Sequence, residues 1–211
     1  NPFDSDLIKI AQKFIKPDSN VWDIGANVGV FTFACAEMIK SGEVLSVEAD
    51  IWLASILKKT KNLDYYNSKH IYVLPLAISD SNSILEFSIA NRGRASNALT
   101  LVEGRDQMGG IREINHVPSF TLDSLLIKFK SPDFVKIDIE GAELMALNGA
   151  KKLIKEIRPI FYIEIGKEVA EKIYLNFKQN NYVLYDIEGN LIDKEFCENL
   201  FFIPKEKSFI K

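Results

Sequence analysis

The stretch Asn20-Val21-Trp22-Asp23-Ile24-Gly25-Ala26-Asn27-Val28-Gly29 decides the fold. Residues 20–24 read as a short apolar strand. Residues 25–29 read as a tight turn, whose glycines let the chain bend sharply and let a ligand approach the backbone. A helix over 31–39 stops at Ser41-Gly42, and 44–48 is the next strand. Strand, helix and strand in that order imply a parallel pair joined by a right-handed crossover.

The same rhythm extends in both directions. Leu7, Ile8, Ala11, Phe14 and Ile15 recur at helical spacing, so 1–19 holds an N-terminal helix ended by Pro17-Asp18. Residues 51–63 read as a helix, 71–76 as a strand, and 83–89 as an alternating strand outside the main rhythm. Residues 90–119 break the pattern. They carry Gly93, Gly104, Gly109 and Gly110 with four of the five arginines, Arg92, Arg94, Arg105 and Arg112. Such a stretch reads as a variable loop placed to act as a substrate lid. Helix 122–129, buried strand 134–139, helical segments in 142–157, strand 160–165 and helix 167–180 follow. An antiparallel-looking pair, 182–186 and 200–203, closes the chain. The expectation is one α/β domain over 1–211 with a mostly parallel sheet.

Composition narrows the function classes. The 211 residues are 47% hydrophobic and 26% charged, the profile of an ordinary globular chain. Lys+Arg 26 against Asp+Glu 29 gives a net charge of −3, which disfavours binding to nucleic-acid phosphates. No apolar run approaches the ~18 residues of a membrane span. Cys35 and Cys197 stand far apart without a C-x-x-C pair, as in a reducing, cytoplasmic setting. The chain begins with Asn1 rather than Met, which points to a segment upstream.

Ligands of open α/β sheets bind beyond the carboxyl ends of the strands, where strand order reverses. That edge holds Asp23, Glu48, Asp80, Asp138 and Glu164. One such acid commonly just caps a helix, but five along one edge repel each other unless a cation or proton intervenes. The turn lacks the G-x-G-x-x-G spacing of a dinucleotide site, and Asp23 would oppose a pyrophosphate. A ligand with an ammonium and a sulfonium group would instead welcome it. Glu48 follows Gly29 by nineteen residues, near the ~20 expected of an acid that accepts ribose hydroxyls. Together Asp23 and Glu48 favour S-adenosyl-L-methionine. The alternatives are a nicotinamide-dependent oxidoreductase and a cofactor-binding module without turnover. Asp138 and Glu140 are the candidate proton acceptors, against the plainer reading that both cap the helix near Ala142. Glu143, on the first turn of that helix, reads as structural. His116 is a further candidate base. His70 and His116 have no second ligand at zinc spacing, so no metal is assigned.

Asp23-Ile-Gly-Ala-Asn-Val-Gly-Val-Phe-Thr32 and Val47-Glu48 resemble the first two motifs of class I S-adenosylmethionine methyltransferases. Leu74-Pro-Leu-Ala-Ile-Ser-Asp80, Phe120-Thr-Leu-Asp-Ser-Leu125 and Val135-Lys-Ile-Asp-Ile-Glu-Gly-Ala-Glu143, with Arg158-Pro159 and Ile163-Glu164, resemble the FkbM family over roughly 20–203. The resemblance implies a Rossmann-like seven-stranded sheet with a final antiparallel strand and helices on both faces. It implies O-methyl transfer to a hydroxyl of a small molecule, a sugar or polyketide-type acceptor. By the same resemblance Asp23, Gly25, Ala26, Asn27 and Gly29 shape the methionine end of the pocket, and Glu48 takes the ribose. Ala77, Ile78, Ser79 and Asp80 border the adenine, and the segment from Asp138 to Glu143 forms the floor where the methyl meets its acceptor.

Overall fold

The computed structural model describes residues 2–66, 69–91, 98–100, 110–193 and 196–208. Its main sheet is built from seven strands. They are β1 (Val21–Ile24), β2 (Val44–Val47), β3 (Ile71–Leu74), β8 (Phe134–Ile137), β9 (Ile160–Glu164), β10 (Tyr182–Tyr185) and β11 (Asn199–Pro204), in the spatial order 3-2-1-8-9-11-10. β11 runs antiparallel between β9 and β10, as the sequence pattern implied, and β1, β2, β3, β8 and β9 are parallel. The chain turns from one side of β1 to the other between β3 and β8. The crevice above β1 and β8 is therefore the switch point at which α/β folds bind ligands.

Both faces of this sheet are covered. Helices α1 (Pro2–Phe14) and α2 (Val30–Met38) pack Leu7, Ile10, Phe31 and Cys35 on Val21, Val44, Phe134 and Phe201. Helix α3 (Ile51–Lys61) follows β2. On the opposite face α5 (Glu143–Asn148) and α6 (Lys167–Gln179) press Ala146, Leu147, Ile173 and Phe177 onto Trp22, Ile24, Val135 and Phe161. Phe177 stacks on Phe202 with ring centroids 4.1 Å apart. Alternation along each strand separates the two cores, because successive side chains point to opposite faces.

Several expectations change. Residues 111–119, read as part of a loop, belong to a ten-residue strand, β7 (Ile111–Phe120), paired antiparallel with β5 (Ser83–Ala90). With β4 (Ala77–Ile78) and β6 (Ala98–Leu99) they form a second, four-stranded sheet. Only Val117 and Ser119 of β7 are buried, so its alternation carries no apolar signature. Residues 92–97 and 101–109, with Arg92, Arg94 and Arg105, lie outside the described residues, and half of the expected lid falls there. The helix expected over 122–129 is a single turn, α4 (Leu122–Leu125), capped by the Thr121 hydroxyl accepting from the Ser124 N–H. The strand expected to reach residue 139 ends at Ile137, which releases Asp138 into the crevice. The helical stretch within 142–157 is broken at Gly149, where a Cβ would lie 2.5 Å from the Ser79 carbonyl oxygen, and resumes as a π turn at Leu153–Ile157.

Candidate active site

The first β-α turn is held by backbone contacts that leave no room for side chains. The N–H groups of Gly25 and Ala26 both donate to the Val47 carbonyl, at 2.9 and 3.0 Å. Gly25 has φ +77°, and a Cβ there would sit 1.8 Å from the Asp138 carbonyl oxygen. The turn after β1 thus rests directly on the exit of β8. Asn27 is also left-handed, with φ 51°. Its N–H donates to Glu48 Oε2 at 2.8 Å, while Glu48 Oε1 accepts from the Asp50 N–H at 2.8 Å. Burial pushes the Glu48 pKa up to about 7, although those two N–H groups pull the other way. Asp50 in turn caps α3 through the Trp52 N–H.

Behind the turn runs a buried polar row. Ser46, Asp23, Lys136 and Tyr162 are successive register partners across β2, β1, β8 and β9. Asp23 is fully buried; it accepts a 2.6 Å hydrogen bond from the Thr32 hydroxyl, which also contacts Ser46 Oγ at 2.7 Å. Lys136 Nζ lies 3.5 Å from Asp23, 3.3 Å from Asp138 and 3.2 Å from the Gly25 carbonyl oxygen, to which it donates. The contact with Asp23 is electrostatic: its Oδ1 is buried and accepts no hydrogen bond among the described residues. Burial opposes the Lys136 charge, but Asp138 and Asp23 more than offset it and hold the ammonium above its ordinary pKa.

These elements enclose a cavity of about 400 Å³ at the switch point. Gly25, Ala26, Asn27 and Glu48 line one side, and Ala77, Ile78, Phe87 and Leu99 form an apolar wall. Asp138, Glu140 and Glu164 line the acidic end. Burial, then Asp138, Glu140 and Glu198, push the Glu164 carboxyl up to about 8. Glu140 and Gly141 are both left-handed, with φ 54° and 92°. Glu143 supports this turn, accepting from the Gly141 N–H at 2.8 Å and the Ile139 N–H at 3.4 Å. Among the described residues no three His, Cys, Asp or Glu side chains are grouped to hold a metal ion. Nor does any described helix have the length and apolarity to cross a membrane.

The profile of the methyltransferase FkbM domain matches residues 23–184, most of the chain. The chain belongs to the FkbM methyltransferase family. An FkbM methyltransferase structure from Methylobacillus flagellatus KT is similar with a TM-score of 0.59 at 18% identity, over 89% of this chain and 44% of that one. The chain therefore spans less than half the length of that relative. Precorrin-6y C5,15-methyltransferase from Geobacter metallireducens GS-15 gives a TM-score of 0.53 at 8% identity, covering 95% of this chain and 86% of that one. A dimethyladenosine transferase from Plasmodium falciparum gives 0.52 at 16% identity, covering 100% and 64%. At these identities the likeness is one of fold.

Within this FkbM domain nine residues singled out from sequence meet at the cavity wall: Gly25, Ala26, Asn27, Glu48, Ala77, Ile78, Asp138, Glu140 and the strand-end acid Glu164. Four others do not line it. Asp23 lies beneath the turn, paired with Lys136. Gly29 starts α2, where a Cβ would strike Leu57 and Phe33. Ser79 is buried, its N–H donating to the Phe120 carbonyl, and Asp80 is exposed, accepting from the hydroxyls of Ser79 and Ser81. The short pairing of β4 with β7 turns the chain away from the cavity just after Ile78. His116 lies on an exposed part of β7, 3.9 Å from Glu86 and off the cavity lining. Lys136, Phe87 and Leu99 had no assigned role in the sequence reading. For Lys136 a signal existed: a lysine inside the apolar strand Phe-Val-Lys-Ile needs buried partners.

Proposed function

We propose that this FkbM domain binds S-adenosyl-L-methionine and directs methyl transfer to a hydroxyl of a small molecule, a sugar or polyketide-type acceptor. The observation that carries this reading is the charge of the cavity. Glu48, Asp138, Glu140 and Glu164 line it, and among the described residues the one ammonium on its wall, Lys136, is held by Asp23, Asp138 and Gly25. A pyrophosphate would meet only repulsion there, whereas a ligand bearing an ammonium and a sulfonium finds complementary charge. The residues present fit that ligand.

When bound, the cofactor supplies an electrophilic methyl carbon on its sulfonium. The chain's own groups do the rest. Gly25, Ala26 and Asn27 offer a side-chain-poor backbone at the methionine end, with Asp23 and Gly29 fixing the turn from behind. Each Glu48 oxygen accepts one backbone N–H and keeps a lone pair for a ribose hydroxyl. Ala77 and Ile78 give the adenine a flat apolar wall, with Ser79 and Asp80 behind it. Asp138 and Glu140 face the acceptor, where positioning supplies much of the rate and a carboxylate takes the hydroxyl proton. Calorimetry with adenosylhomocysteine and with NAD tests the reading. Binding of adenosylhomocysteine alone is expected; binding of NAD with no response to adenosylhomocysteine would refute it.

A further inference from the structure

The carboxylates on the cavity wall are not equivalent. Both oxygens of Glu48 accept backbone N–H groups. Asp138 is ion-paired with Lys136, which also pairs with Asp23 and donates to the Gly25 carbonyl. Glu164 has no such partner: among the described residues no hydrogen bond or ion pair reaches its carboxyl. The charged and titratable groups around it are Asp138 and Lys136 on or beyond β8, Glu140 on the following turn, Glu198 before β11, and Tyr162 on its own strand. Three of these five are carboxylates.

We infer that Glu164, rather than Asp138, accepts the proton of the acceptor hydroxyl as the methyl group is transferred. The inference rests on the methyl-transfer reading above. As the acceptor oxygen bonds to the methyl carbon, the carbon–sulfur bond breaks with its electron pair on sulfur. The hydroxyl proton passes to Glu164, which later loses it to water. Protonating Asp138 would strip the buried Lys136 ammonium of a partner, a costly exchange. Protonating Glu164 relieves crowding among like charges instead. Its carboxyl, at about 8, is also matched to proton transfer near neutral pH. Placement favours Glu164 over Glu140 as well. Glu164 sits on a strand registered on both sides, at Ile137↔Ile163 and Asn199↔Glu164, while Glu140 rides a left-handed turn. Groups on regular elements are held more accurately than groups on loops.

Two measurements test this. Calorimetry in buffers of different ionisation enthalpy counts the protons released when S-adenosylmethionine binds at pH 7. The arriving positive charge should drive most of one proton from Glu164 in the wild type, clearly less in Glu164→Gln, where only the part-protonated Glu48 remains to respond, and less when adenosylhomocysteine, which lacks the sulfonium, is used. No release from the wild type, or equal release from Glu164→Gln, overturns the assignment. Single-turnover transfer of a tritiated methyl group to a hydroxylated acceptor methylated by the wild type is the second test. At saturating cofactor Glu164→Gln should slow it at least ~100-fold, and Asp138→Asn should slow it less. Wild-type rates in Glu164→Gln overturn the proposal, as does a greater loss in Glu140→Gln. If Glu164→Gln does not fold, Glu164→Asp replaces it, with the carboxyl withdrawn by one methylene and the same slowing expected; an unchanged rate there counts against the proposal. If the wild type binds neither ligand, the methyl-transfer reading itself falls.

Discussion

Asp23 and Lys136 are register partners across β1 and β8, their carboxylate and ammonium 3.5 Å apart and both shut away from water. Buried pairs of this kind gain little over apolar residues, yet removing one member leaves a charge with no compensation. The pair therefore exposes the sheet to a specific failure.

Lys136→Met should destabilise the fold by about 3–5 kcal/mol, because Asp23 and Asp138 lose their shared cation. The double variant Asp23→Asn with Lys136→Met should recover much of that loss. Urea unfolding of the wild type, the single variant and the double variant checks this, and equal midpoints for the two variants would contradict it.

Glu48→Ala should weaken adenosylhomocysteine binding by ~1–3 kcal/mol, the usual cost of losing charge-assisted hydrogen bonds to a bound ligand. Calorimetry measures the difference, with a melting curve to show that the variant remains folded. Unchanged affinity would place the ribose elsewhere.

Gly25 and Gly189 share a left-handed backbone, with φ +77° and +94°, but differ in surroundings. Alanine at Gly189 meets nothing within 4 Å and should cost only the ~1–2 kcal/mol of left-handed strain. Alanine at Gly25 collides with the Asp138 carbonyl and should also abolish cofactor binding, since turn and floor would be forced apart. Melting temperatures and calorimetry of the two variants, side by side, test the distinction.

Stability should also report the Glu164 carboxyl. Its pKa is raised from 4.5 to about 8 in the folded chain. Between those values the unfolded chain gives up a proton that the native chain retains, so this group's contribution falls as pH rises. The melting temperature of Glu164→Gln relative to wild type should therefore climb from pH 5 to pH 8 and level off beyond. A constant difference across that range would show that the carboxyl titrates normally.

What the sequence disclosed was mostly local. The turn from Gly25 to Gly29 and the acid at Glu48 are defined within thirty residues, and their types carry their roles. Asp138 was visible because it stands near the carboxyl end of the apolar run 134–139, although the strand itself stops at Ile137. Lys136 showed in sequence only as a lysine inside an apolar strand; two of its partners, Asp23 and Gly25, lie more than a hundred residues back and are brought to it by the pairing of β1 with β8. The retreat of Ser79 and Asp80 depends on a two-residue pairing with β7, and β7 itself buries too few residues to announce a strand. Helix α4 stops after one turn, and beyond it the N–H groups of Ile127 and Lys128 reach back only three residues, to the carbonyls of Ser124 and Leu125.

The second sheet leaves and rejoins the fold at nearly the same point: Ile78 pairs with Phe120, and Ser83 with Ser119. Its outer end is fastened where the Asn91 N–H donates to the Gly110 carbonyl at 3.0 Å. Such an excursion behaves as an interchangeable cassette. Among its described residues Phe87 and Leu99 are what it presents to the cavity. Exchanging residues 83–119 should therefore reshape that wall of the cavity without touching the contact of Gly25 with Asp138.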